Sequence, residues 1–161
     1  MKRLLVFLAV AGVAWSAISP AQERIQAEYD RAAQAMKYKY MDGVLAIRDH
    51  GYQCIGPDGK KVSPGEDMHS MNFVMAQSAA IQETTTILQF VQSNSNEARV
   101  RIRDTIVLGL PGPPDHPSPP YFIVAVNDDT WVRHGDAWKL SRTRIVKQAA
   151  GYGDSAPVLN Q

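Results

Sequence analysis

The chain has 161 residues, 45% of them hydrophobic and 20% charged, with 17 Lys and Arg against 16 Asp and Glu. Nothing in that balance draws the protein to nucleic acid or to an anionic membrane surface. A single cysteine, Cys54, excludes an intramolecular disulfide, so stability rests on packing, and Cys54 reads as a small buried apolar residue.

The chain opens Met1-Lys2-Arg3, runs apolar from Leu4 to Ala14, and reaches Ser19-Pro20-Ala21. A basic start, a short apolar run and small residues after it are the marks of a secretory signal peptide, with cleavage expected after Ala21. The run is shorter than the roughly 18 residues that a spanning helix needs. The expected product is secreted or periplasmic, with no membrane attachment after cleavage. It is one domain over residues 22–147 with a flexible tail over 148–161, a size that suits a single core.

From Gln22 to Tyr40, the residues Ile25, Tyr29, Ala32, Ala33, Met36 and Tyr40 recur at three- and four-residue steps and predict an amphipathic helix. Val44 to Ile47 suits a second, short helix. His50 to Ile55 alternates and meets the turn Gly56-Pro57-Asp58-Gly59, with Lys60 to Val62 as the return strand. Ser63-Pro64-Gly65-Glu66 then starts a helix: Ser63 as N-cap, Pro64 in the first turn, Glu66 closing a capping box. Met68, Met71 and Met75 line one face of it and read as adaptable core.

Strands follow over Ile81–Gln92 and Ala98–Leu108. The second puts Ala98, Val100, Ile102, Asp104, Ile106 and Leu108 on one face and Arg99, Arg101 and Arg103 on the other. Six prolines fill the loop from Gly109 to Pro120, which is unable to pair in a sheet. Tyr121–Val126 leads into a hairpin that runs from Asn127 to Val146 around Gly135-Asp136. Uninterrupted pairing outward from that turn sets Arg133 against Trp138, Trp131 against Leu140, Asp129 against Arg142 and Asn127 against Arg144. Helices first and long strands last argue an α+β fold, with an antiparallel sheet packed on one face against the helices.

This order is similar to the nuclear transport factor 2-like superfamily, which includes ketosteroid isomerases and SnoaL-like cyclases. The resemblance is carried by the helix with Tyr29, by the Gly56–Gly59 turn before Ser63–Glu66, and by Asp129-Thr130-Trp131-Val132-Arg133 with Asp136-Ala137-Trp138-Lys139-Leu140. It implies a cone-shaped, curved antiparallel sheet wrapped around N-terminal helices, a pocket inside it, and a homodimer through the outer sheet face. A ketosteroid isomerase uses an Asp base, together with a Tyr and a protonated Asp that donate to the developing enolate oxygen. By resemblance Tyr29 takes the tyrosine's place and Asp104 that of the proton-holding acid. No base occupies the early strand, which reads Tyr52-Gln53-Cys54-Ile55, with Asp49 only at its start.

The predicted pocket is lined by Tyr29, Asp104, Trp131, Asp129, Arg142 and Arg144, the arginines suiting an anionic group. Asp104 would either be an acid of raised pKa or be paired with a pocket arginine. His69 is a further candidate proton carrier. Arg99, Arg101 and Arg103 lack the interleaved aromatic residues of a nucleic-acid surface and read as a solvated face or dimer rim. His50, His69, His116 and His134 show no zinc-ligand spacing and no phosphate-cradling glycine loop occurs, so no metal or cofactor is expected. The expected functions are binding of a small hydrophobic or anionic molecule, isomerase or cyclase chemistry on a hydrophobic carbonyl compound, or a structural domain whose cone is filled.

Overall fold

The computed structural model describes residues 18–113, 115–153 and 159. The basic start and apolar run expected to be a signal peptide fall on residues 1–17 and so lie outside the described residues. Three helices and six strands follow in the order α1 (Pro20–Lys37), α2 (Met41–Leu45), β1 (Arg48–Ile55), β2 (Lys61–Val62), α3 (Pro64–Gln77), β3 (Ala80–Asn94), β4 (Glu97–Gly109), β5 (Tyr121–His134) and β6 (Ala137–Tyr152). The strands form one curved, unclosed sheet in the order β2-β1-β6-β5-β4-β3.

Both longer helices open on a serine cap, of which the sequence reading named only the second. The Ser19 hydroxyl accepts from the Gln22 N–H at 3.2 Å to cap α1. At α3, Ser63 Oγ accepts from the Glu66 N–H at 3.2 Å while the Glu66 carboxylate accepts from the Ser63 N–H at 2.9 Å, closing the capping box. Ser63→Ala should therefore cost about 1 kcal/mol of stability, to be read as a lower urea midpoint at constant m-value.

Ile25, Tyr29, Ala32 and Met36 of α1 face the sheet as their spacing predicts. The stripe ends sooner than expected. Lys39 takes φ +56°, which breaks the helix, and Tyr40 is left 60% exposed rather than on the apolar face. One core cluster joins Ile25, Tyr29 and Ala32 to Val100, Ile102, Trp131, Trp138 and Leu140. A second gathers Met36, Val44, Met75, Ile81 and Leu108 under α3.

Three features of the sheet depart from the sequence reading. First, it is mixed: β1 runs parallel to β6, with Cys54 opposite Thr143 and Ile55 opposite Arg144. Second, β6 does not end at Lys147. It continues through Tyr152 opposite Tyr121, so residues 148–152 of the expected tail are strand. Third, pairing in the β5–β6 hairpin holds only near the turn. Arg133 meets Trp138 and Trp131 meets Leu140 as expected, but β6 then carries an extra residue, Ser141, so Thr130 faces Arg142, Asp129 faces Thr143 and Asp128 faces Arg144. The Ser141 hydroxyl donates to the Thr130 carbonyl at 3.0 Å, fixing the bulge. A one-residue insertion exchanges the two faces of the strand beyond it, so Arg142 and Arg144 leave the helix side of the sheet.

Candidate functional site

The inner face of β5, the face toward α1, presents Asn127, Asp129 and Trp131 at alternate positions. One turn after Ile25, α1 brings Tyr29 against them. The Trp131 indole N–H donates to the Tyr29 hydroxyl at 2.9 Å, and that hydroxyl donates to Asp129 Oδ2 at 2.6 Å. The two rings meet edge to face, 5.1 Å between centroids. Trp131 is 0%, Asp129 3% and Tyr29 6% exposed, so this chain of hydrogen bonds is dry.

Burial raises the Asp129 carboxyl from the ordinary 3.8 to about 7, against the pull of Tyr29 and Thr143, and the charges of Asp104 and Asp128 add to the rise. Burial and then the Asp129 charge push the Tyr29 phenol well above its usual value. Asp129 Oδ1 and Asn127 Oδ1 are buried and accept no hydrogen bond.

A second acidic group lies farther along the same face. β3 sets Thr85 opposite Asp104 and Glu83 opposite Ile106. The Thr85 hydroxyl donates to Asp104 Oδ1 at 3.2 Å. Burial lifts both carboxyls, and Glu83 is lifted further by the charge of Asp104 and by its hydrogen bond to it. The two carboxyls therefore share one proton and titrate as a pair. Among the described residues Asp104 forms no ion pair with an arginine; its partners are the Thr85 hydroxyl and a second acid, Glu83. Val100 faces Asp129, and Asp104 lies four residues further along β4, roughly 13 Å at the rise of a strand. Asn127 sits between them, opposite Ile102.

Of the residues expected to line the pocket, Tyr29, Asp129 and Trp131 meet. Asp104 shares their face but bonds Thr85 and Glu83 rather than joining Tyr29, so the acid beside the tyrosine is Asp129. Arg142 and Arg144 are exposed on the opposite face. His69 is exposed on α3. Asp49 accepts from the His50 N–H and lies 3.3 Å from His134 Nε2 at the rim. Sequence reasoning missed Glu83, Thr85 and Thr143. The first two were legible in principle, since they alternate with Ile81 and Ile87 on the buried side of β3.

A cleft of about 500 Å³ opens between β1, β2 and α3, lined in part by Arg48, Tyr52, Cys54, Asp67 and Met68. Arg48 pairs with Asp67 and stands 4.1 Å over the Tyr52 ring. Burial raises the Cys54 thiol above its ordinary value, which disfavours the thiolate. Among the described residues, no group of three or more His, Cys, Asp or Glu could hold a metal ion.

No family model matches the sequence, and no curated relative does. Solved structures do match. A candidate scytalone dehydratase from Novosphingobium aromaticivorans superposes with a TM-score of 0.69 at 10% identity, over 88% of this chain and 95% of that one. A candidate dehydratase of the NTF2-like family from Streptomyces avermitilis gives 0.62 at 22% identity, over 86% and 97%. A hexachlorocyclohexane dehydrochlorinase from Novosphingobium barchaimii gives 0.59 at 13%, over 85% and 95%. With α1 laid across a curved sheet and Tyr29 against its inner face, the chain has the nuclear transport factor 2-like fold.

Proposed function

We propose that this domain binds a small, largely apolar molecule that is neutral or cationic and carries a hydrogen-bond donor, at the inner face beside Asn127 and Asp129. The observation that carries this reading is the Asn127 Oδ1 acceptor, buried without a partner beside the Asp129 carboxyl. Leaving such an atom unsatisfied costs about 1–3 kcal/mol, which a hydroxyl or amine of the right shape recovers. Glu83, Asp104 and Asp129 make this side of the sheet acidic, so a buried carboxylate ligand would meet like charge.

The test is calorimetric titration with bicyclic hydrocarbons that differ only in a hydroxyl, amino or carboxyl substituent. The alcohol and the amine should bind and the carboxylate should not, and Asn127→Leu should weaken binding by about tenfold or more. Tightest binding by the carboxylate, or no binding by any of the three, would sink this reading.

One observation favours a second reading, acid–base catalysis farther along the same face. Glu83 and Asp104 share a hydrogen bond and burial raises both carboxyls, so the pair carries one proton near neutrality, which provides an acid and a base side by side. Dehydratases and a dehydrochlorinase share the fold, and elimination needs those two roles, as do isomerisation and cyclisation of a carbonyl compound. On this reading the hydrogen-bonded Asp104–Glu83 pair fills both roles at one place: its ionised member takes a proton from carbon and its protonated member supplies one to the departing or enolising oxygen. Asp104→Asn should then abolish turnover of an enone or a β-hydroxy ketone and leave its binding unchanged.

A further inference from the structure

The outer face of the sheet carries a second site of opposite character. The Ser141 bulge brings two rows of side chains into register across five strands. One row runs Gln89, Arg101, Asp128, Arg144, Ile55, and the next runs Val91, Arg99, Thr130, Arg142, Gln53. The rows flank a cleft of about 560 Å³ whose lining includes Arg99, Asp128, Thr130, Arg142 and Arg144.

The charges there are unevenly matched. Arg101 forms a bidentate pair with Asp128, at 2.7 and 2.9 Å. Arg99 reaches Glu97 at 3.4 Å while remaining 69% exposed. Arg142 donates only to the neutral Thr130 hydroxyl, at 3.3 Å. Arg144 faces Asp128, whose two oxygens are already taken by Arg101. Among the described residues, neither Arg142 nor Arg144 forms an ion pair. These two lie two residues apart on one strand, so their Cα atoms are roughly 7 Å apart, and Arg99 stands two strand spacings from Arg142, roughly 9–10 Å away.

We propose that this cleft binds a small polyanion with charged oxygen groups about 7–10 Å apart, held by Arg142, Arg144 and Arg99. Guanidinium groups bind carboxylate and phosphate oxygens by paired N–H donors. Asp128 holds Arg101 aside and fixes the edge of the site. Thr130, with a hydroxyl between Arg99 and Arg142, offers a neutral contact where another acid would cancel the field. The same arrangement argues against a bare two-fold contact through this face, because it would set the arginine rows of two copies against each other.

The probes are tripolyphosphate and citrate, titrated calorimetrically at about 20 and 150 mM NaCl. The wild-type protein should bind one equivalent of at least one probe, more weakly at the higher salt. Arg142→Gln with Arg144→Gln should weaken binding about tenfold or more. Lys60→Gln with Lys61→Gln removes the same charge from the exposed β1–β2 turn and should leave binding unchanged. An unchanged urea midpoint in both double variants confirms that they fold. Equal losses in the two would mean that only net charge matters and would overturn the site, as would the absence of saturable binding. A protein that is dimeric without added anion, and becomes monomeric in Arg142→Gln/Arg144→Gln, would show the cleft to be a self-contact and would overturn it too. These outcomes are separate from ligand binding at the inner face.

Discussion

Raising the pH from 5 to 8 should destabilise this protein, the reverse of the usual behaviour of a domain rich in surface ion pairs. Asp129 has a native pKa of about 7 against 3.8 ordinarily, so between those values the native state binds more protons than the unfolded chain. Stability is therefore full below about pH 4 and is lost as the pH rises through about 7. At ~1.4 kcal/mol per pKa unit, the loss from Asp129 alone between pH 5 and 8 is on the order of 3 kcal/mol. Glu83 and Asp104 are raised as well and act in the same direction. Asp128 and Glu66 have lowered pKa values and pull the opposite way, but only as the pH falls below the ordinary carboxylate range. Urea unfolding at pH 5, 6, 7 and 8 checks this. The wild-type midpoint should fall steadily, and Asp129→Asn should remove about a third of the slope, the rest being carried by Glu83 and Asp104. A level or rising wild-type midpoint would show that the inner acids are hydrated rather than dry.

The second large effect is expected at Trp131. Its side chain is wholly buried, packs edge-on against Tyr29 and gives its only N–H to the Tyr29 hydroxyl. Trp131→Ala opens a cavity in the main core and removes that donor, a cost of about 3–5 kcal/mol. Tyr29→Phe leaves the volume almost unchanged but orphans the indole N–H and Asp129 Oδ2 together, a cost of about 2–4 kcal/mol. The Asp129 pKa should rise further in Tyr29→Phe, because the phenol hydrogen bond now holds it down. Equilibrium unfolding of both single variants and the double variant should show strong coupling, since each loses a bond that the other also breaks. A Trp131→Ala loss below about 1 kcal/mol would contradict the packing described here.

Much of the fold was legible because it is written locally. The Ser63–Glu66 capping box, the Gly56–Gly59 turn and the Gly135-Asp136 hairpin each need only a few neighbouring residues, and all three form. The alternation of Ala98, Val100 and Ile102 was enough to say which side of β4 is buried. Ser141 was not legible. A bulge leaves no mark in hydrophobic periodicity when the extra residue is small and polar. Missing it put Arg142 opposite Asp129, and both arginines on the wrong face.

The partner of Tyr29 was half legible. Asp104 and Asp129 both interrupt the buried side of a strand, and only the crossing of α1 over the sheet decides between them. The parallel pairing of β1 with β6 had no local signal, because a strand's own sequence says nothing about which distant strand lies beside it.

That last pairing sets a timetable for synthesis. Arg48 finds its place opposite Leu140, about 90 positions later in the chain. Until the final strand has left the ribosome, β1 and the β2 edge beyond it have no neighbour to add to, and the Tyr52 side of the interior stays open to water. Folding of this kind, dominated by contacts between distant residues, is slow and has to wait for the whole chain. A nascent polypeptide cut short in β6 would thus forfeit the first strand of its sheet as well as the last.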